Sequence, residues 1–441
     1  MTASTIADLE TPTSLFLKLR DLRPAFLLES VTHGEHVGRY SFIGLDPVQR
    51  IEYRGQGSLR GLIERTLSSL KPAQDAGHDL VHGLVGAIAY ENVHQFAPTG
   101  LAARETGLPL ASFVVPRAVV TFDHAARRIT LNHADGPDAA RALLAEVRGC
   151  MSLPLPALAT GGTFTAPVAT VTEAEFARRV AAAKEHIAAG DIFQVVLSLA
   201  FEGETDLHPY QVYRALRHLN PSPYLYFLDF GGYQIIGSSP EALVKLQDGG
   251  LTIRPIAGTR PRGADEHEDA SLEIELANDA KELAEHNMLV DLARNDVGRV
   301  AEIGSVRVPD LRVIERYSHV MHLVSRVTGK LREGVSALDA FESAFPAGTV
   351  SGAPKVRALQ IIHDLEPEAR GFYAGSVGYF TAGGHFDQAI TIRTIVMHNG
   401  RYSARAGAGI VADSVAASEY QEIRNKAQAL LKSLQFAKDE L

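Results

Sequence analysis

Hydrophobic and polar positions alternate in short runs through the first third of the chain. RYSFIGL (39–45), LVGAIAY (84–90), FVVPRAVVTF (113–122) and RITLNH (128–133) show either a period of two or an unbroken apolar stretch, the marks of half-buried and buried strands. SLRGLIERTLSSL (58–70) instead repeats at the helical period, which sets one apolar stripe along a helix. These runs predict antiparallel sheet mixed with helices.

From 152 to 170 the pattern lapses into SLPLPALATGGTFTAPVAT, rich in Pro, Gly, Ala and Thr with neither period. The chain is therefore expected to divide into an N-terminal domain (1–151), a linker (152–170) and a second domain (171–441). The second opens on a helix, EAEFARRVAAAKEHIAAG (173–190), and continues in two meanders. One runs YLYFLDF, GG, YQIIGS and then ALVKL, DGG, LTIRPI; the other runs YAGSVGYFT, AGG, HFDQAITIRTIVM, HNG, RYSARAGAGIV. Turns this short join only antiparallel neighbours. Without a regular strand–helix alternation, the class is α+β, with large antiparallel sheets and flanking helices, and not a doubly wound parallel sheet.

Composition narrows the function. A chain of 441 residues, 46% hydrophobic, can bury a large core. Its 43 basic against 52 acidic residues, a net charge of -9, argue against nucleic acid or an anionic membrane surface as partner. MTASTIADLE has no basic or apolar leader, and no stretch approaches the roughly 18 apolar residues of a membrane span, so a soluble cytoplasmic protein is expected. The single cysteine, Cys150, excludes an intrachain disulfide and a multi-cysteine zinc site and fits a reducing compartment. It has no glycine-rich elbow around it.

Candidate chemistry concentrates on two helices. If 279–294 is helical, Glu282, Glu285 and His286 share one arc, while Leu283, Met288, Val290 and Leu292 cover most of the rest. Carboxylates on an interior helix need a cation or donors; on an exposed arc they need neither. A second copy at 418–436 sets Glu419, Glu422 and Lys426 beside the stripe Ile423, Ala427, Leu430, Leu434. Facing each other, the two would suit a hard divalent cation, Mg²⁺ foremost. The alternative for Glu422 is an i, i+4 pair with Lys426. ExxEH at 282–286 is one residue from the HxxEH of inverted zinc peptidases, but Glu282 removes an imidazole that catalytic zinc relies on.

Two loops are suited to anions. FPAGTVSGAPKVRALQIIHDLEP (345–367) runs into a helix expected to start near Pro354. Its glycine–lysine spacing does not fit a nucleotide phosphate loop, though Thr349 beside a helix N-terminus suits an oxyanion. In ARAGAGIVADS (404–414), amides at Gly407, Ala408 and Gly409 can approach a carboxylate closely. Arg393, expected inward from a strand, offers a forked guanidinium. Turn chemistry and a structural ion pair account for these equally.

Taken together, PIAGTRPRG (255–263), EHNMLVDLARND (285–296), ERYSHVMHLVS (315–325), FPAGTVSGAPK (345–355), AITIRT (389–394) and AGAGIVADS (406–414) resemble the chorismate-utilising enzymes, most closely the anthranilate synthase large-subunit family. FLLES (26–30), GRYSFIG (38–44) and NPSPYLYF (220–227) extend the likeness to the N-terminal part. The resemblance implies an anthranilate synthase-like chorismate-binding fold. It also implies Mg²⁺-dependent amination of chorismate with loss of pyruvate to give anthranilate, the first step of tryptophan biosynthesis. Ammonia would come from a separate glutamine amidotransferase subunit in a hetero-oligomer, and L-tryptophan would inhibit.

The same resemblance implies roles for individual residues. Glu285 and Glu422 match metal ligands, and Glu282 and Glu419 match holders of metal-bound water. Gly258, Thr259, Tyr373, Arg393, Ala408 and Gly409 match substrate contacts, with Lys426 supplying charge near the metal end. Glu241 matches the acid that protonates the departing C4 hydroxyl. His322 and Thr349 flank the ring, His322 being tied to pyruvate loss and His319 less important. Leu28, Glu29, Ser30, Pro223 and Tyr224 match a tryptophan effector site.

Two positions choose within the family. Gln194 stands where isochorismate and salicylate synthases carry a lysine base, and an amide cannot take up that proton. Ala257 stands where aminodeoxychorismate synthases carry a nucleophilic lysine. Leu197 and Leu199 depart from the family's usual Pro and Arg. Two other readings stay open: an aminodeoxychorismate synthase component I of the folate pathway, and a catalytically silent tryptophan-sensing subunit.

Overall fold

The computed structural model describes residues 3–30, 38–70, 79–158, 161–316 and 320–441. Two long strands, Tyr40–Tyr53 and Ala111–Asp123, pair antiparallel over nearly their full length. The second strand forks the ladder: its C-terminal half takes Arg128–His133 on its other edge, and its N-terminal half takes Gly83–Ile88. One arm then runs through Pro24–Glu29, Tyr224–Asp229, Tyr233–Ser239, Thr394–His398, Arg401–Ile410 and Gln194–Glu204. The other runs through Gly83–Ile88, Ser376–Thr381, Phe386–Ile390, Ala242–Gln247, Gly250–Ile253 and Val320–Lys330. With helices on its faces this is the expected α+β architecture.

Two neighbouring stretches of chain cross between the arms, at residues 240–241 and 391–393. AITIRTIVM reads as one strand but is broken here, because Arg393 adopts a φ of 49° and turns the chain into the other arm. Arg393 is thus in a bend and not, as its alternation suggested, in a strand interior.

Strands from both sides of the 152–170 segment share both arms, since Pro24–Glu29 pairs with Tyr224–Asp229 and Gly83–Ile88 with Ser376–Thr381. Within that segment Val168–Ala169 pairs with Phe201 and Glu202.

The core packs helices against these sheets. Phe341, on the Ala337–Ala344 helix, meets Phe380 edge-on at 5.2 Å, and Phe345 meets Phe96 at 5.4 Å; such pairs add roughly 1 kcal/mol each beyond burial. A reciprocal cap between Ser336 and Asp339 starts that helix. Its far end delivers the chain into the loop that carries Thr349. The acidic segments form the helices Ala280–Gly298 and Ala416–Glu440, and a further helix, Glu266–Asn278, precedes the first. Leu197 and Leu199 are fully buried core residues. Among the described residues no helix is long and apolar enough to cross a membrane.

Candidate active site

The crossing between the arms places Glu241 and Arg393 near each other. Glu241 is partly buried, and Thr349 donates to its Oε1 at 3.0 Å from the short turn Gly348–Val350. Burial pushes its pKa up to about 8, against the opposing pull of the Thr349 hydroxyl and the Arg393 charge. A carboxyl there keeps its proton at neutral pH.

His322 lies on Val320–Lys330, with Nδ1 3.0 Å from Thr259 Oγ1 and 3.2 Å from the Gly258 carbonyl. Burial holds its pKa below the usual value, so the ring is neutral. Gly258 sits at φ 68° in a bulge between Ala257 and Thr259. A Cβ there would lie 2.8 Å from Leu276 Cδ1 and 3.2 Å from Glu282 Oε2, and the positive φ itself favours glycine where this strand meets the acidic helix. Thr259, His322 and Arg393 line one cavity of about 170 Å³.

Asp279 caps the Ala280–Gly298 helix by accepting from the amides of Lys281 (3.0 Å) and Glu282 (3.1 Å). Glu285, one turn on, has its pKa raised by burial first and then by Glu282 and Glu422, while Lys281 and Lys426 oppose the shift. Three of the four predicted acids therefore act on one another across the two helices. They are not gathered into a ligand shell: among the described residues no three His, Cys, Asp or Glu side chains are grouped to hold one ion. Glu422 instead pairs with Lys426 at 2.6 Å. The like-charge crowding at Glu285 is what a bound dication would relieve, and carboxylate oxygens are the donor type Mg²⁺ takes.

Lys426 Nζ also bonds the Gly407 carbonyl at 3.1 Å. Gly407 and Gly409 lie opposite Ser198 and Val196, whose amides bond Glu366 and Ser351. By antiparallel geometry both glycines turn their own amides away from that strand and toward the site, whereas Ala408, opposite Leu197, spends its amide in the ladder. The register thus turns the Gly409 amide out of the ladder and the Ala408 amide into it. A Cβ at Gly407 would strike the Tyr373 hydroxyl at 2.6 Å, and one at Gly409 the Gln194 amide nitrogen at 2.3 Å. These contacts bring Tyr373, Gln194 and Lys426 to the same strand.

Other sequence candidates fall elsewhere. His286 is fully buried against Ser325 Oγ at 2.6 Å with its pKa lowered to about 4, a core histidine and no ligand. Lys355 bonds the buried Asp296 at 2.7 Å, which makes the glycine–lysine loop structural. The helix starts at Lys355, one residue later than expected. Burial raises the Cys150 thiol pKa, as befits a bystander. His319 lies outside the described residues.

The effector candidates Leu28, Glu29, Ser30, Pro223 and Tyr224 all line a separate cavity of about 780 Å³. Glu29 is held there by Arg217 at 2.9 Å and Tyr213 at 2.5 Å, and Tyr224 donates to Asp387 at 3.0 Å. Pro223, Pro240 and Ile256 wall both this cavity and the smaller one containing His322. Sequence reading missed the buried pair Glu366 and Arg370, whose partners are distant in sequence and leave no local signal.

Comparison with known proteins shows the family and the fold. The chain matches the chorismate binding enzyme model over residues 23–432. It is 46% identical to anthranilate synthase component 1 of Thermus thermophilus, covering 98% of this chain and 97% of that one. It is 43% identical to the protein of the same name from Pseudomonas aeruginosa, covering 98% and 94%. The crystal structure of anthranilate synthase component I from Streptococcus pneumoniae superposes with a TM-score of 0.80 at 38% identity, over 91% of this chain and 94% of that one. The menaquinone-specific isochorismate synthase of Escherichia coli shares the fold, with a TM-score of 0.76 at 21% identity over 99% and 94%. The chain belongs to the chorismate-binding enzyme family, among the relatives named anthranilate synthase component 1.

Proposed function

We infer that this protein aminates chorismate at C2 and eliminates pyruvate to give anthranilate, the first step of tryptophan biosynthesis, in the cytoplasm. Ammonia comes from a glutamine amidotransferase partner. The observation that carries the reading is the corner where Thr349 donates to Glu241 at 3.0 Å beside Arg393, in which burial favours the protonated carboxyl. Glu241 donates that proton to the departing C4 hydroxyl as ammonia bonds to C2, so water leaves and the ring keeps its enolpyruvyl group. Arg393, Tyr373 and the Gly409 amide orient the enolpyruvyl carboxylate. The neutral imidazole of His322 is suited to the proton movement that accompanies pyruvate loss.

Glu282, Glu285, Glu419 and Glu422 would hold Mg²⁺, which when bound neutralises the ring carboxylate and withdraws charge from the ring. Buried Ala257 offers no nucleophile for 4-amination and Gln194 no base for hydration, which favours anthranilate over the aminodeoxychorismate and isochorismate products. The 780 Å³ cavity, walled in common with the active site, is the place for L-tryptophan inhibition.

The test is chorismate plus ammonium with and without Mg²⁺, read by anthranilate fluorescence. Fluorescence that appears only with the metal supports the reading. A 4-amino product identifies the folate-pathway enzyme instead, and tryptophan binding without chorismate consumption identifies a silent sensor.

A further inference from the structure

Glu366 and Arg370 have no part in the chemistry above, yet both side chains are 1% exposed. Burying such a pair gains little over apolar residues of the same volume unless the remaining donors and acceptors are satisfied. Here they are. Glu366 Oε1 accepts from the Ser198 amide at 2.6 Å and from Arg370 at 2.9 Å, and Oε2 accepts Arg370 Nε at 2.8 Å. Arg370 donates further to the carbonyls of Val350 at 2.8 Å and Val196 at 2.7 Å. Its guanidinium carbon lies 4.7 Å from the Tyr90 ring centroid and 5.8 Å from that of Tyr373.

These partners share a property. Val350 follows Thr349, the residue bonded to Glu241. Val196 lies two residues from Gln194 and opposite Gly409. Tyr373 has its hydroxyl against Gly407. One planar fork therefore ties together three walls of the site that come from distant parts of the chain, a geometry an ammonium cannot reproduce.

The geometry points to Arg370 as a positioning residue, held by Glu366, that fixes the Thr349–Glu241 corner relative to Gln194, Gly409 and Tyr373. This rests on the activity proposed above. Arg370→Lys in the full chain keeps the charge and loses the fork. With chorismate and ammonium it should lose about 100-fold in kcat, the scale of a small misplacement of reacting groups. Chorismate binding by calorimetry should weaken as Tyr373 shifts. The basic limb of kcat/KM should move above about 8 as Thr349 releases Glu241. Thr349→Val in that background should add little, because both act on one hydrogen bond.

A folded Arg370→Lys protein with wild-type kcat, binding and limb overturns the inference, as does a lowered Tm with unchanged kinetics, or full additivity with Thr349→Val. If Arg370→Lys does not fold, Glu366→Gln, which keeps the guanidinium, is read in the same assays with the same criteria. Wild-type protein that binds chorismate but makes no anthranilate removes the activity, and the effect of Arg370→Lys on binding still decides its positioning role.

Discussion

Glu241 and Glu285 are both partly buried, and burial is the main cause of the raised pKa of each; they differ in company. Beside Glu241 stand a hydroxyl and a guanidinium, both favouring its charged form, and its pKa still reaches about 8. Glu285 faces Glu282 and Glu422, whose charges add to the effect of burial. A solitary carboxyl in a dry corner stores a proton, whereas crowded carboxylates on an open arc recruit a cation. On the function proposed above, one residue type would serve as an acid at the first position and as a metal ligand at the second.

The largest effect should come from Glu241→Gln. It keeps the Thr349 contact but has no proton to give, and about a 1000-fold fall in kcat is expected. Anthranilate fluorescence under saturating chorismate reads it; a loss below tenfold would mean the donor lies elsewhere. The fold should tolerate the change. The folded state holds this proton more tightly than the unfolded chain, so the corner contributes stability that is fully present below 4.5 and gone above about 8. Tm followed across that range should slope less in the variant.

On the other side of the comparison, Glu285→Gln or Glu422→Gln should remove Mg²⁺-dependent turnover with the fold intact. A loss of about 3 kcal/mol in transition-state stabilisation corresponds to roughly 100-fold in kcat/KM. Turnover that still responds normally to Mg²⁺ would detach these helices from the metal. Next in size is Thr349→Val, expected to cost about tenfold, the weight of one hydrogen bond to a charged or charging group. The basic limb, measured per unit of unprotonated ammonia, should rise, since the hydroxyl that favours ionised Glu241 is gone. A limb that stays fixed would show that another group sets it.

Much of this was legible beforehand. The i, i+3 spacing of Glu282 with Glu285 and of Glu419 with Glu422 marks two acidic helix faces, and the GG, DGG, AGG and HNG turns mark antiparallel meanders. What failed was non-local. AITIRTIVM keeps its alternation through Arg393, so nothing in the pattern signals the left-handed bend that moves the chain between arms. Spacing put His286 with Glu282, but which side of a helix meets the core depends on Ser325, far along the chain. Spacing keeps the glycine–lysine loop from reading as a phosphate loop, but nothing local shows that Lys355 pairs with Asp296 on another helix. Arg370 needs Val196, Val350 and Tyr373 assembled before its purpose can be read at all.

The smallest effect should separate the two regions most cleanly. Asp279 accepts from the first amides of the Ala280–Gly298 helix and takes a bond from Arg260 at 2.8 Å, so it fixes where Glu282 and Glu285 begin their turn. Asp279→Ala removes the cap and should cost about 1 kcal/mol of stability. Fraying the first turn loosens the acidic arc without touching the crossing that carries Glu241. The Mg²⁺ concentration for half-maximal turnover should therefore rise a few-fold, while the basic limb stays near 8. Asp279→Asn, which still caps, should restore most of the metal response. If both variants move the limb and the metal response together, the donor corner and the acidic arc are one coupled unit, and the division between a stored proton and a recruited cation does not hold.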